Sequence, residues 1–162
     1  MKTLIRKAAP VLLATAALVG AFMSAPSKEA SASAVDGLLG SWRGGGTARY
    51  DSGTERLSCN AYYTGGGSSL GLAIRCKSPT SKVEIRSKLR VSGNRVTGTW
   101  EERTFNASGS ASGSMLPGRL SIRISGTVRG SMNVSYTKSR QSVSISTTGT
   151  SLRSVSLSFT RS

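Results

Sequence analysis

The chain contains no histidine, so neither a Ser-His triad nor a His-ligated metal site can be built from it. Past residue 34 the groups left for acid–base chemistry are Asp36, Asp51, Glu55, Glu84, Glu101 and Glu102. Two carboxylates can hydrolyse a glycosidic bond, and Glu55 and Glu102 are the pair to consider. Both fall on the inward parity of the strands read below, where a carboxylate must find a partner or lose its charge. Arg153 and Arg161, on the same parity, could supply that partner. A strand-end position at a wet rim, or a bulge that turns the side chain outward, is the preferred account of both glutamates. The reading is therefore a protein that binds rather than catalyses, with no cofactor and no metal.

The two cysteines say more. They lie in Leu57–Lys77, LSCNAYYTGGGSSLGLAIRCK, which carries the clearest turn signal in the chain. A two-residue turn at Gly67-Ser68 suits a type II′ hairpin. It sets Cys59 opposite Cys76 and puts Leu57, Ala61, Tyr63, Leu70, Leu72 and Ile74 on their face. A slip of one residue would turn that apolar set outward. The register makes the cysteines partners in a disulfide, worth about 3 kcal/mol for a loop of this size.

Apolar and polar residues alternate at period two along almost the whole mature chain, and turn signals recur about every 8–12 residues, the all-β pattern. The expected strands run over Gly40–Tyr50, Thr54–Thr64, Leu70–Lys77, Lys82–Val91, Arg95–Phe105, Ala107–Met115 and Arg119–Val128. Three more are centred on Val134, Val143 and Leu157. Pairing across Asp51-Ser52-Gly53 sets Trp42 opposite Tyr63. The fold class is an antiparallel up-and-down meander of eight to ten strands, closed into a barrel, with a β-sandwich as the alternative. Inward glycines at 44, 46, 98, 109, 113 and 126 leave room for a ligand, or else let strands bend and approach closely. Tyr50, Tyr63, Trp100 and Glu102 are the candidate ligand-binding residues.

Gly40-Ser41-Trp42 opens the first strand and Phe159-Thr160-Arg161 closes the last. This resembles the calycin pattern of lipocalins, avidins and related barrels. The resemblance implies that Trp42 plugs one end of a barrel and that Arg161 stacks on it, a cation–π contact worth about 0.5–2 kcal/mol. More broadly the chain resembles small secreted β-rich bacterial proteins.

Twenty-two Lys and Arg against seven Asp and Glu give a net charge of +15. Outward positions on the third to fifth strands place Arg75 opposite Glu84 and Arg86 opposite Glu101, a cross-strand ladder. Lys77, Lys82, Arg86, Lys88, Arg90 and Arg95 make this a basic face. It either keeps the protein soluble or attracts anionic lipid, polysaccharide or another envelope component. Nucleic acid is not expected, because the face has no aromatic residue for base stacking.

Lys2, Arg6 and Lys7 followed by the apolar run Ala8–Met23 and Ala32-Ser33-Ala34 read as a cleaved signal peptide over residues 1–34, with a single domain at 35–162. Cleavage there removes four basic residues and Glu29, leaving a net charge of +12. It also leaves no span long enough to cross a membrane as a helix. The expected protein is periplasmic or secreted. It binds an apolar, amphipathic or anionic ligand, or else docks on another exported protein, for instance as an inhibitor of an exported hydrolase. A structural envelope role is a further alternative.

Overall fold

The computed structural model describes residues 34–162, so the segment read as a signal peptide lies outside the described residues apart from Ala34. Ten strands follow one another: β1 Gly40–Tyr50, β2 Gly53–Gly66, β3 Ser69–Lys77, β4 Lys82–Ser92, β5 Arg95–Glu102, β6 Ala107–Leu116, β7 Arg119–Gly126, β8 Arg129–Tyr136, β9 Arg140–Thr148 and β10 Leu152–Arg161. Each pairs antiparallel with the next, and β1 pairs with β10 from Trp42↔Arg161 through Ala48↔Val155, so the sheet closes into a barrel. Closure removes both edges. The fold is the closed meander, and the sandwich is excluded.

The Cys59–Cys76 disulfide sits in the expected register, with Gly67-Ser68 as the turn and Gly67 at φ +60°. The β3–β4 and β4–β5 pairings also match, with Arg75 opposite Glu84 and Arg86 opposite Glu101. The β1–β2 pairing differs by two residues, and Trp42 faces Ala61 rather than Tyr63. The cause is the turn. Gly53 takes φ +145°, pairs with Tyr50 and leaves only Asp51-Ser52 to reverse the chain. Because the shift is even, the same side chains still face inward. β5 stops at Glu102, three residues short of the expected end, where a turn runs over 103–106 with Asn106 at φ +54°.

Two further expectations change. A bulge pairs Arg49 with Ser154 but Tyr50 with Leu152, which turns Leu152 inward and leaves Arg153 exposed. Arg153 then grips Asp51 through Nε and Nη2 at 2.5 and 2.9 Å, so it is no partner for an inward glutamate. The inward glycines serve close approach rather than empty space. A Cβ at Gly44 would lie 1.9 Å from the Ser158 carbonyl oxygen of β10. Where glycines do leave width, an aromatic ring takes it. Trp100 pairs with Gly109, Gly109 pairs with Gly126, and the Trp100 indole N–H donates to the Ser125 carbonyl beyond them at 3.1 Å.

One end of the barrel is closed by the chain itself. A helical segment at 34–38 buries Val35 and Leu38 completely and packs Ala34 beside them. It is tied down by hydrogen bonds from Trp42 Nε1 to the Leu38 carbonyl at 2.9 Å and from Tyr136 Oη to the Ala34 carbonyl at 2.7 Å. Arg161 lies over the Trp42 ring, 4.2 Å from its centroid. Its guanidinium donates to the carbonyls of Gly37, Leu39 and Lys138. A guanidinium, with its five N–H donors in a fixed fork, suits this place, since the last carbonyls of a helical turn have no partner within it.

Candidate ligand-binding mouth

Burial of the inward side chains changes along the barrel axis. Beside the closed floor, Tyr63, Leu70, Val96, Leu120 and Val134 are buried to 2% exposure or less. At the opposite end Tyr50, Leu57, Ile85, Ile124 and Leu152 pack against the core yet stay partly open to solvent. Between the two levels lie Trp100, Met132, Ile145, Val155 and the disulfide. The inward face is therefore apolar along its length, fully buried beside the floor and partly exposed to solvent at the opposite end.

The four candidate ligand residues do not form one group. Tyr50 stands at the mouth, and Trp100 lines the wall below it. Tyr63 belongs to the floor, where its hydroxyl accepts a 2.7 Å hydrogen bond from Gln141 Nε2. Burial pushes the Tyr63 phenol far above the ordinary tyrosine range, and the Gln141 hydrogen bond offsets only part of this. It is a buried neutral strut. Gln141, itself 3% exposed, was not singled out in the sequence, although its polar side chain on an inward position is the signal that could have found it. Its Oε1 has no protein partner.

Glu102 is inward and buried, as its parity implies, but its carboxylate is already engaged. It accepts backbone N–H groups from Glu84 at 3.2 Å, Thr104 at 2.9 Å and Phe105 at 2.6 Å. These bonds shape the β5–β6 turn and present Phe105, 69% exposed, at the rim. Glu102 is a loop anchor rather than a ligand residue. Glu55 lies at the rim too, opposite Ala48, and its Oε1 accepts the Thr80 hydroxyl at 2.7 Å. The Ser78 and Thr80 hydroxyls hold its carboxyl below the usual carboxylate range. The nearby Tyr50 hydroxyl is pushed up, first by burial and then by the Glu55 charge.

The basic face is spread out rather than gathered. Lys77 and Lys82 pair at the mouth end, whereas Arg90 and Arg95 lie toward the floor, about 27 Å away at the rise of a β-strand. Arg86 leaves its register partner Glu101 and binds Glu84 on its own strand at 2.6 Å, where Arg75 joins at 3.3 Å. Lys88 is exposed between Gly71 and Thr99.

No protein-family profile and no curated protein matches this chain. Among solved structures it is similar to the S-type phycobiliprotein lyase CPES from Guillardia theta, with a TM-score of 0.51 and 14% identity over 78% of this chain and 89% of that one. At that identity the likeness establishes the fold alone, a closed antiparallel β-barrel. The Trp42–Arg161 contact at the floor is the stacked pair expected from the two ends of the chain.

Proposed function

We propose that this is an exported, non-enzymatic binding barrel that takes an apolar or amphipathic small molecule through its open end. The observation that carries the reading is the gradient of burial, with a sealed floor, an apolar wall, and five inward apolar side chains still meeting solvent at the mouth. Export to the periplasm or beyond is supported by the charged and apolar start of the chain and by a disulfide, which persists in oxidising compartments. The solved lyase belongs to a protein that acts on phycobiliproteins. It supports the barrel fold alone and brings no ligand to this chain.

An inhibitor of an exported hydrolase is the second reading, and it calls for an exposed apolar N-terminal segment. Val35 and Leu38 are instead locked into the floor, which removes that support. Titration with a neutral apolar fluorophore such as 1-aminoanthracene tests the first reading. The expected result is saturable binding at one site with quenching of Trp100, and native mass spectrometry of protein from its own host is expected to find a retained small molecule. Absence of both would overturn it.

A further inference from the structure

No Asp or Glu occurs anywhere from residue 103 to 162, while Arg103, Arg119, Arg123, Arg129, Lys138, Arg140, Arg153 and Arg161 do. The outer wall built from that stretch is made of hydroxyls. Ser158, Ser142 and Ser135 lie in register across β10, β9 and β8. One row nearer the floor, Arg43 faces Thr160, and Thr160 faces Arg140. The two arginines therefore flank Thr160 across β1, β10 and β9, about 10 Å apart at two inter-strand spacings.

These side chains border one groove of about 510 Å³ on the outside of the barrel, remote from the mouth. Arg43 and Arg140 are exposed, and neither joins any ion pair among the described residues, all of which engage Glu84 or Asp51. The Thr160 hydroxyl donates to the Arg43 carbonyl at 3.4 Å, which leaves its oxygen free to accept. Charge and hydroxyls together suit one kind of partner. Guanidinium forks bind sulfate, phosphate and carboxylate oxygens. Uncharged serines and threonines exchange hydrogen bonds with sugar hydroxyls.

We propose that this groove is a binding site for an acidic polysaccharide, with Arg43 and Arg140 holding its anionic substituents and the Ser/Thr rows its hydroxyls. A lipid surface fits poorly, because among the described residues the exposed large apolar side chains are Tyr62, Phe105 and Leu116, none of them on this wall. Single-stranded nucleic acid fits poorly as well, since the two aromatic residues bordering the groove, Tyr136 and Phe159, are buried and offer no platform for base stacking. The site is independent of the mouth, and the two can be occupied together.

The test is binding of the disulfide-bonded protein to dextran sulfate, with uncharged dextran and vesicles of anionic phospholipid alongside. The proposal expects binding to dextran sulfate that weakens as salt rises. Arg43→Gln with Arg140→Gln should lower the affinity at least tenfold, whereas Lys88→Gln with Arg90→Gln should change it less than threefold. Both double variants should keep the wild-type melting temperature, because none of the four side chains is buried or ion-paired. Protection of Arg43 and Arg140 from phenylglyoxal by dextran sulfate, read by peptide mass, gives the same answer without any substitution. Equal losses from the two double variants would mean diffuse charge and overturn the proposal. So would no binding to dextran sulfate, equal binding to uncharged dextran, or binding to the vesicles alone.

Discussion

Arg161 is the last residue of β10 and pairs directly with Trp42 near the start of β1, so the contact that closes the barrel floor also closes the sheet. The guanidinium does two things at once. Its face covers the indole, and its N–H groups reach carbonyls from the helical segment and from the β8–β9 turn. Arg161→Ala should cost about 3 kcal/mol, combining the stacking with hydrogen bonds made by a charged donor. Arg161→Lys should recover less than half, since a single ammonium cannot fork among three carbonyls. Urea denaturation measures both, and a lysine variant as stable as wild type would show that the charge alone suffices.

The N-terminal anchor leads to a second expectation. Tyr136 Oη is bonded to the carbonyl of Ala34, which lies within the floor. A chain beginning at Val35 loses that acceptor, and one beginning at Ser33 keeps it. The shorter chain should be less stable by up to about 1 kcal/mol, because the Tyr136 hydroxyl keeps only its longer, 3.5 Å hydrogen bond to the Leu116 carbonyl. Comparison of the two purified chains by urea denaturation decides it. Intact mass of protein from the native host would then show which end the cell produces.

The disulfide closes a loop between residues 17 apart. Cys59→Ala with Cys76→Ala should lower stability by about 3 kcal/mol, mainly by freeing the unfolded chain. The barrel should survive, because β2 and β3 stay paired from Ser58↔Lys77 to Gly66↔Ser69. Circular dichroism of the double variant should match wild type while its urea midpoint falls. An unchanged midpoint would mean that the bridge is redundant.

Much of this architecture was readable because a strand's side chains alternate strictly. Any register error by an even number leaves the inward set intact, so the two-residue shift between β1 and β2 did not disturb it. What the pattern could not carry was three-dimensional. Parity cannot say at which end of a barrel a residue lies, so it places Tyr63 with Tyr50 although one serves the floor and the other the mouth. Nor can it foresee a bulge, which exchanged Leu152 for Arg153. Glu102 read as an inward charge in need of a partner. Its partners are backbone N–H groups of a turn whose shape only the folded chain reveals. The groove beside Arg43 arises from strands far apart in the chain, β1 against β8–β10.

The titrating groups bound the pH range of stability. Glu84 is lowered chiefly by the Arg86 guanidinium, and Glu55 by the Ser78 and Thr80 hydroxyls. A lowered carboxyl stabilises the fold above its ordinary value of 4.5, and that contribution is lost as pH falls through the folded value. Tyr63, Tyr136 and Tyr50 are raised from 10.0, chiefly by burial. Between pH 10 and their folded values the unfolded chain ionises and the folded one does not, so stability falls as pH rises. Melting temperature should be nearly flat from about pH 5 to 9.5 and drop on both sides. Tyr63→Phe should flatten the alkaline limb, and an unchanged limb would place its origin elsewhere.

The contrast between floor and mouth makes the sharpest demand on the proposed function. Val96 and Ile124 both face inward, but Val96 is fully buried beside the floor and Ile124 is partly wet at the mouth. Replacing each by threonine removes apolar surface and adds a hydroxyl. At Val96 the hydroxyl has no water to meet, so the variant should lose about 2 kcal/mol. At Ile124 it can be solvated, and the loss should stay below about 1 kcal/mol. Ligand binding should respond in the opposite order. Ile124→Thr should weaken 1-aminoanthracene binding several-fold, whereas Val96→Thr should leave the affinity of the folded protein nearly unchanged. If affinity follows stability in both variants, the apolar mouth is part of the packing and does not receive the ligand.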